Sequence, residues 1–196
     1  MGRTTRRRAA ARRLLNSSGM DSNDSLLRLG WNLELALRHA RAGRHERAVA
    51  ILGGEVAAGA REVPRRVARE RLRELADRLG RIGAVRAMEA ALALAGGLGG
   101  MSEETGWAGL RLEHGQRARA WAYLADAGSR AQAAGRRGRD PTLVFAGEWS
   151  QALASRGLRR QEEARRRAGV LLGKARYHGA RRSVRVIEGF LASLAS

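Results

Sequence analysis

Apolar residues recur at three- and four-residue steps in the segment from residue 24 to residue 52. The recurring positions in its first half are Leu26, Leu29, Leu33, Ala36, Leu37 and Ala40. This spacing places them on one face of an α-helix. Gly43 follows, and a second apolar stripe begins at Ala48. Because glycine adopts a positive φ without strain, the pattern predicts two helices folded back on each other about Gly43.

The same periodicity continues along the rest of the chain. It predicts helices over residues 64–82, 85–92, 107–134, 143–155, 159–172 and 181–194. The stretch 107–134 is expected to break near Gly115 and to end at Gly128. Short β-branched runs lack the turn residues that flank hairpin strands. The predicted fold class is therefore all-α, a short array of helical hairpins or a multi-helix bundle, with a basic N-terminal arm.

The core of this fold is predicted from the apolar faces of the helices. The residues expected to be buried are Leu35, Leu52, Leu75, Leu79, Leu92, Leu124 and Trp121. All four tryptophans are expected in the core or between packed helices. On the opposite side of the helix over residues 64–82, an acidic residue precedes an arginine by four positions in three places. These pairs are Glu62–Arg66, Glu74–Arg78 and Asp77–Arg81. They predict that the arginines of this helix are neutralised by neighbouring acids.

Two segments between the predicted helices divide the chain. The run 96–100 holds four glycines in five residues, and ordering so many glycines carries a high entropic cost, so we expect an exposed link there. Residues 135–141 have the composition of a basic connector. We therefore predict a basic, disordered arm over residues 1–20, helical hairpins over residues 21–135, and basic C-terminal helices packed on the array over residues 136–196.

Three segments share one spacing of residue types. Each begins with an apolar residue followed directly by an alanine. A glycine lies seven residues after the alanine, and a leucine lies nine residues after the glycine. The glycines are Gly43, Gly83 and Gly115, and the two distances between them bracket the period of helical-hairpin repeats. The pattern resembles the tetratricopeptide repeat over about residues 28–130, and residues 43–49 resemble that family's turn into its second helix.

The resemblance implies small residues where two helices approach closely. The alanines at these positions are Ala36, Ala48, Ala108 and Ala120. The chain departs from the family pattern in three ways. Trp31 falls one residue from the family's tryptophan position, Met88 replaces a small residue, and no proline closes a repeat.

The charge is concentrated at the two ends of the chain. The net charge is +19, and 37 of the 38 basic residues are arginine. Residues 1–20 carry +6, residues 21–135 carry +4, and residues 136–196 carry +9. A field of this size favours polyanions, either nucleic acid or an anionic membrane. Any polyanion contact is therefore expected at the ends of the chain.

The arginine clusters are the candidate nucleic-acid-binding residues, because guanidinium groups contact phosphates bidentately. In the arm they are Arg6, Arg7, Arg8, Arg12 and Arg13. In the C-terminal part they are Arg159, Arg160, Arg165, Arg166, Arg167, Lys174, Arg176, Arg181 and Arg182. Tyr177 and His178 interleave with them as candidate base-stacking partners. The C-terminal set also fits a solvated basic face.

The arm has three interpretations that the sequence leaves open. Its composition, rich in arginine and hydroxyl residues and free of acids, fits a phosphate-binding arm, a solvated tail, or a mitochondrial or chloroplast transit peptide. The predicted localisation is accordingly cytoplasmic, with an organellar matrix as the alternative. The sequence gives no indication of the oligomeric state.

The sequence lacks the common catalytic and metal-binding motifs. The chain has no cysteine, no His-Glu-x-x-His motif and no Gly-x-Ser-x-Gly motif, so we predict no enzyme activity, no metal and no cofactor. The predicted function is a non-enzymatic helical-repeat adaptor that contacts nucleic acid, RNA or DNA. The alternative is a protein–protein interaction scaffold that binds a partner helix or an acidic peptide on the repeat surface.

Overall fold

The computed structural model describes residues 23–98 and 103–195, and these residues contain helices and no strand. The helices are α1 (23–41), α2 (His45–Ile51), α3 (Ala57–Glu62), α4 (Arg65–Arg81), α5 (Val85–Gly97), α6 (Glu103–Arg117), α7 (Trp121–Gly138), α8 (Pro141–Gly157), α9 (Gln161–Tyr177) and α10 (Arg181–Ala192). A π-helical turn, Leu52–Val56, joins α2 to α3 without a break. The predicted all-α fold class is confirmed.

The described helices fall into two compact units. The first unit contains residues 23–79 and 86–98, and the second contains residues 80–85 and 103–195. Residue 135, where we predicted a division, lies inside α7 and so does not separate two helical parts. The expected basic connector is shorter than predicted, because α7 continues through Gly138 and α8 begins at Pro141.

The turns between helices use residues with positive φ. Three are glycines, Gly43 (φ 74°), Gly83 (φ 77°) and Gly179 (φ 66°), and the first two confirm the predicted turns. The other three are Arg119 (φ 51°), Arg139 (φ 53°) and Arg159 (φ 61°). In the second unit, the three arginines and Gly179 follow one another at equal distances along the chain. One helix and its turn therefore occupy the same length of chain at each step.

The predicted break near Gly115 is present, at residues 118–120, but Gly115 is not the turn residue, and the predicted helix end at Gly128 is wrong. Gly115 lies inside α6, and the turn comes later, at Arg119. A Cβ on Gly115 would lie only 3.0 Å from the Tyr123 ring, so this glycine allows α6 and α7 to approach. Gly128 lies in the middle of α7. Both glycines serve helix packing, not chain reversal.

The first unit packs the apolar face of α1 against α3 and the π turn. Leu29 is buried, and a Cβ on Gly59 would lie 3.7 Å from its Cα and Cδ1 atoms, an ordinary contact distance. The Ser25 hydroxyl donates a hydrogen bond to a Glu62 carboxylate oxygen over 3.2 Å. The residues in this unit that confirm the predicted core are Leu52, Leu75, Leu79 and Leu92. Leu35, which was also expected in the core, is only half-buried.

Glycines bring α7 and α8 of the second unit into backbone contact. A Cβ on Gly147 would lie 2.6 Å from the Gly128 carbonyl oxygen, and one on Gly128 would lie 2.8 Å from the Gly147 carbonyl oxygen. Leu124 is fully buried beside this contact, as predicted. Trp121, which was also expected in the core, is only half-buried, and its indole lies over Gly157. At the other side of α8, Trp149 meets Phe190 edge-to-face with ring centroids 5.1 Å apart.

Hydrogen bonds between side chains fix the directions of α7 to α10. The bonded pairs are Gln132–Glu148 and Ser129–Gln151 for α7 and α8, Glu148–Lys174 and Gln151–Arg167 for α8 and α9, and Glu188–Arg176 for α9 and α10. As residue numbers rise in one helix they fall in the next. For α9 and α10 the second pair is Arg165 with the carbonyl of Leu194, just after α10, so consecutive helices are antiparallel. The α7–α8 and α9–α10 turns therefore lie at one end of these helices, and the α6–α7 and α8–α9 turns lie at the opposite end.

The predicted exposed link at residues 96–100 is only partly described by the structure. Gly96 and Gly97 are exposed but helical, because they form the last residues of α5, whereas the rest of the run at 99–100 lies outside the described residues.

The start of α8 is well defined. Asp140 accepts hydrogen bonds from the backbone amides of Thr142 and Leu143, each 3.0 Å long, and Pro141 occupies the first helical position.

Candidate nucleic-acid interface

The predicted binding residues divide between regions that the structure describes and one that it does not. The arm residues Arg6, Arg7, Arg8, Arg12 and Arg13 lie outside the described residues. The other nine all belong to the second unit, in α9, α10 and the turn before α9. The structure therefore tests the surroundings of the C-terminal set only.

Five of the nine C-terminal residues are engaged in contacts within the chain. Arg167 donates to a Glu163 carboxylate oxygen over 2.7 and 2.9 Å, and this hydrogen bond holds the pKa of Glu163 below its usual value. Arg165 donates to the backbone carbonyl of Leu194 and lies 3.7 Å from Glu162. The remaining pairs are Arg160–Glu163 at 3.8 Å, Lys174–Glu148 at 2.7 Å and Arg176–Glu188 at 2.7 Å.

Two chains of polar side chains cross α7, α8 and α9. In one, Gln132 and Lys174 both donate to Glu148, over 2.9 and 2.7 Å. In the other, Gln151 donates to Ser129 over 3.0 Å and accepts from Arg167. The Glu148 side chain is only 16% exposed, so these two donors take the place of water around its carboxylate. Lys174 and Arg167 therefore stabilise the second unit.

We expect Lys174→Met to lower the free energy of unfolding by about 1 to 2 kcal/mol, because it leaves the largely buried Glu148 carboxylate without its cationic partner. Arg166→Met is the control. Arg166 is exposed, and so are Gly169 and Val170 one turn further along the helix, so this substitution should change the free energy of unfolding by less than about 0.5 kcal/mol. Urea unfolding of both variants measures the difference. Equal losses would contradict the structural role of Lys174.

Four of the predicted arginines are exposed and free. The side chains of Arg159, Arg166, Arg181 and Arg182 form no hydrogen bond and no ion pair with any residue in the part of the chain that the structure describes. They are not all together: Arg181 and Arg182 open α10, whereas Arg159 lies in the turn at the opposite end of these helices. Arg166 lies on the exposed face of α9.

Four further arginines of the second unit have the same properties. The side chains of Arg119, Arg136, Arg139 and Arg185 are exposed and have no hydrogen-bonding or ionic partner among the described residues. Two of them occupy left-handed turn positions. The equal spacing of the turns was the signal that could have identified them, but the misplaced turn at Gly115 concealed it.

Tyr177 has the most exposed large apolar side chain among the described residues of the second unit. It is the last residue of α9, its exposed fraction is 87%, and its ring meets the His178 imidazole edge-on with centroids 5.1 Å apart. Its neighbours along the chain after the turn are Arg181 and Arg182. The predicted grouping of an aromatic residue with basic residues is therefore present at the α9–α10 turn.

The first unit carries a groove between α1 and α4 with a volume of about 830 Å³. Leu27 and Trp31 line it and are each 68% exposed. Trp31 therefore corrects the expectation that all four tryptophans are packed inside. Two ion pairs lie in the groove. Arg78 with Glu34 joins the α4 wall to the α1 wall, and Arg71 with Glu74, at 3.3 Å, lies along the α4 wall.

These ion pairs differ from the pairs predicted along the sequence. Glu34 on α1 takes the place of Glu74 as the partner of Arg78, and the hydrogen bond from Arg78 lowers the pKa of the Glu34 carboxyl. Glu62 lies 3.7 Å from Arg28 instead of pairing with Arg66, because Glu62 ends α3 and Arg66 belongs to the next helix. The arginines of α4 that pair with acids do so partly with acids from another helix.

Comparison with protein-family models, curated proteins and solved structures finds no match to this chain. The geometry of the two surfaces is therefore the basis for any functional argument. Within the described ranges 23–98 and 103–195, no helix has the length and apolar character needed to cross a bilayer. The same residues include no group of three or more side chains able to hold a metal ion.

His39 is a half-buried imidazole whose Nδ1 atom has no hydrogen-bond partner among the described residues. Burial lowers the pKa of His39 below its ordinary value, and the positive charges of Arg44 and Arg47 lower it further. The neutral form is therefore favoured in the folded chain. Between the two pKa values, the unfolded chain binds more protons than the folded chain, so stability falls as the pH decreases.

We expect the free energy of unfolding to fall as the pH is lowered through the ordinary histidine value of about 6.5, and to fall less in His39→Gln. Urea midpoints of the two proteins, measured on both sides of that pH, isolate the contribution of His39 from the other histidines. A pH dependence that is identical in the two proteins would contradict the assignment.

Proposed function

We propose that the chain is a non-enzymatic helical-hairpin protein that binds nucleic acid through its C-terminal unit. The observation that carries the proposal is the set of exposed arginines without partners: Arg159, Arg166, Arg181 and Arg182. They belong to residues 103–195, which hold 18 basic and nine acidic residues. A surplus of this kind attracts phosphates, and the release of counterions from the nucleic acid drives binding.

Whether an arginine is already paired with an acid of the chain decides whether it is available to bind a phosphate. An arginine already paired with a carboxylate, such as Arg176 with Glu188, gives up that contact before it binds a phosphate. A free arginine gives up only water. The four free arginines are therefore expected to provide most of the phosphate contacts, and the engaged residues Arg165, Arg167 and Lys174 are expected to provide few.

Two variants that lose the same charge test this proposal. One replaces Arg166, Arg181 and Arg182 with glutamine. The control replaces Arg65, Arg73 and Arg86, which are exposed arginines of the first unit without a partner among the described residues, also with glutamine. The first variant should weaken binding, and its plot of log K against log salt should become shallower by about 0.7 to 0.9 for each lost contact. The control should leave that slope unchanged.

The salt slope separates contact from net charge, because both variants lose three charges. Equal changes in the two variants would mean that only the total charge matters, which contradicts a C-terminal interface. A wild-type chain that shows no binding at about 150 mM salt would contradict nucleic-acid binding altogether, since non-specific sites typically have dissociation constants of about 1 to 100 µM there.

The groove of the first unit favours a second function, a scaffold for a partner helix. Leu27 and Trp31 expose apolar surface beside Arg38, which suits an amphipathic helix with an acidic flank. A peptide of that kind should shift the emission of Trp31 to shorter wavelength as the ring leaves water, and Trp31→Phe should abolish the shift. Titration without any such shift would contradict this function and leave the nucleic-acid proposal untouched.

A further inference from the structure

The turns at one end of α7 to α10 carry a concentrated group of basic and aromatic residues. Because consecutive helices are antiparallel, the α7–α8 and α9–α10 turns lie at the same end. The exposed residues there, which we call the basic end, are Arg136, Arg139, Tyr177, His178, Arg181 and Arg182. The side chains of Arg136, Arg139, Arg181 and Arg182 have no hydrogen-bonding or ionic partner among the described residues.

The acidic residue at these turns forms no ion pair with the arginines of the basic end. Asp140 follows Arg139 directly, but its carboxylate accepts the backbone amides of Thr142 and Leu143. It thus caps α8 and points its acceptor oxygen at that helix. Arg176 and Lys174, in the last turn of α9, are paired with Glu188 and Glu148, so those two acids are also engaged.

Arg139 occupies a backbone conformation that favours glycine. Its φ is 53°, in the left-handed region, and the equivalent turn at the same end uses Gly179 with φ 66°. A residue with a Cβ is strained there. The chain therefore carries an arginine where a glycine would be more stable, as it also does at Arg119 and Arg159 at the opposite end.

We propose that the basic end binds single-stranded nucleic acid, with the Tyr177 ring stacked on an unpaired base and Arg139, Arg181 and Arg182 on the flanking phosphates. This inference rests on the proposed nucleic-acid binding and names its substrate class. Tyr177 is 87% exposed, so its ring is open to a base. The faces of bases inside a duplex are covered by their neighbours, whereas a single strand offers them freely, and such stacking tolerates any base.

The first test measures binding of the full chain to labelled oligothymidylate, oligouridylate and a duplex of the same length at one salt concentration. Wild type should bind both single strands more tightly than the duplex. Tyr177→Leu should weaken single-strand binding by about 5- to 150-fold, the range that loss of one stacked base gives, and should change duplex binding little. Tyr177→Phe keeps the ring and should bind like wild type.

The second test uses Arg139→Gly, in which the structural and functional effects have opposite signs. Relief of the left-handed strain should raise the thermal midpoint, while loss of a phosphate contact should weaken single-strand binding and make its salt dependence shallower. Arg119→Gly is the matched control, because it relieves the same strain and removes the same charge at the opposite end. It should raise the midpoint with little change in single-strand binding.

Each outcome bears on a different step. Equal affinity for duplex and single strands, with no effect of Tyr177→Leu, would overturn the single-strand inference and leave nucleic-acid binding in place. Binding that falls alike in Arg139→Gly and Arg119→Gly would overturn the assignment to the basic end. A wild-type chain that binds none of the three probes would overturn the proposed function as well.

Discussion

Gly147→Ala is expected to lower the free energy of unfolding by about 2 to 4 kcal/mol. Its new Cβ would lie 2.6 Å from the Gly128 carbonyl oxygen and 2.8 Å from the Gln132 amide nitrogen. Both are backbone atoms of α7, so no side-chain rotation relieves the clash. The two helices would have to separate, which loosens the buried contacts of Leu124 and Leu143 beside them.

The matched control for this prediction is Gly169→Ala. Gly169 is also a helical glycine of the second unit, but a Cβ there would meet nothing within 4 Å. Alanine should therefore stabilise α9 by about 0.5 to 1 kcal/mol through its better helix propensity. Urea unfolding followed by circular dichroism measures both changes. The close packing of α7 on α8 would be contradicted if the two substitutions shifted stability in the same direction.

Leu75→Ala should cost about 2 to 5 kcal/mol, the range for truncating a buried leucine where the surroundings relax only in part. Leu75 lies on α4 and is 2% exposed. Leu72 and Leu79 are likewise buried on the same face of that helix, so the vacated volume is bounded by atoms on several sides.

Leu27→Ala makes the same chemical change in the same unit on the surface. Leu27 is 68% exposed in the groove, so its truncation should change the stability by no more than about 0.5 kcal/mol. The comparison is made from urea midpoints of the two variants. Equal destabilisation by the two substitutions would contradict either the burial of Leu75 or the exposure of Leu27.

The helices could be predicted from the sequence because amphipathic periodicity is a local property. The turns were harder, since glycine serves two purposes. Gly43 reverses the chain with a positive φ, whereas Gly115 accommodates the ring of Tyr123 from the next helix. Each follows an alanine by seven residues and precedes a leucine by nine, so only the position of a neighbouring helix distinguishes them. The turn that replaced Gly115 uses Arg119, a residue type that gives no turn signal.

The candidate site was predictable as a charge surplus but not as a set of available residues. Lys174 pairs with Glu148 and Arg176 pairs with Glu188, in each case across two different helices. Neither pair follows the spacing of ion pairs within one helix. Arg166, between Arg165 and Arg167 in sequence, is free while both neighbours are engaged. Availability depends on packing between helices, which residue spacing does not encode.

The constant distance between the turns limits how such a chain can change in length. Arg119, Arg139, Arg159 and Gly179 follow one another at equal steps, and each step holds one helix and one turn. Loss or duplication of the whole segment between the Arg119 and Arg159 turns would rejoin helices that run in the correct direction. Loss or duplication of a single step would reverse the direction of every helix after it. In evolution, this half of the protein would therefore gain or lose whole hairpins, never single helices.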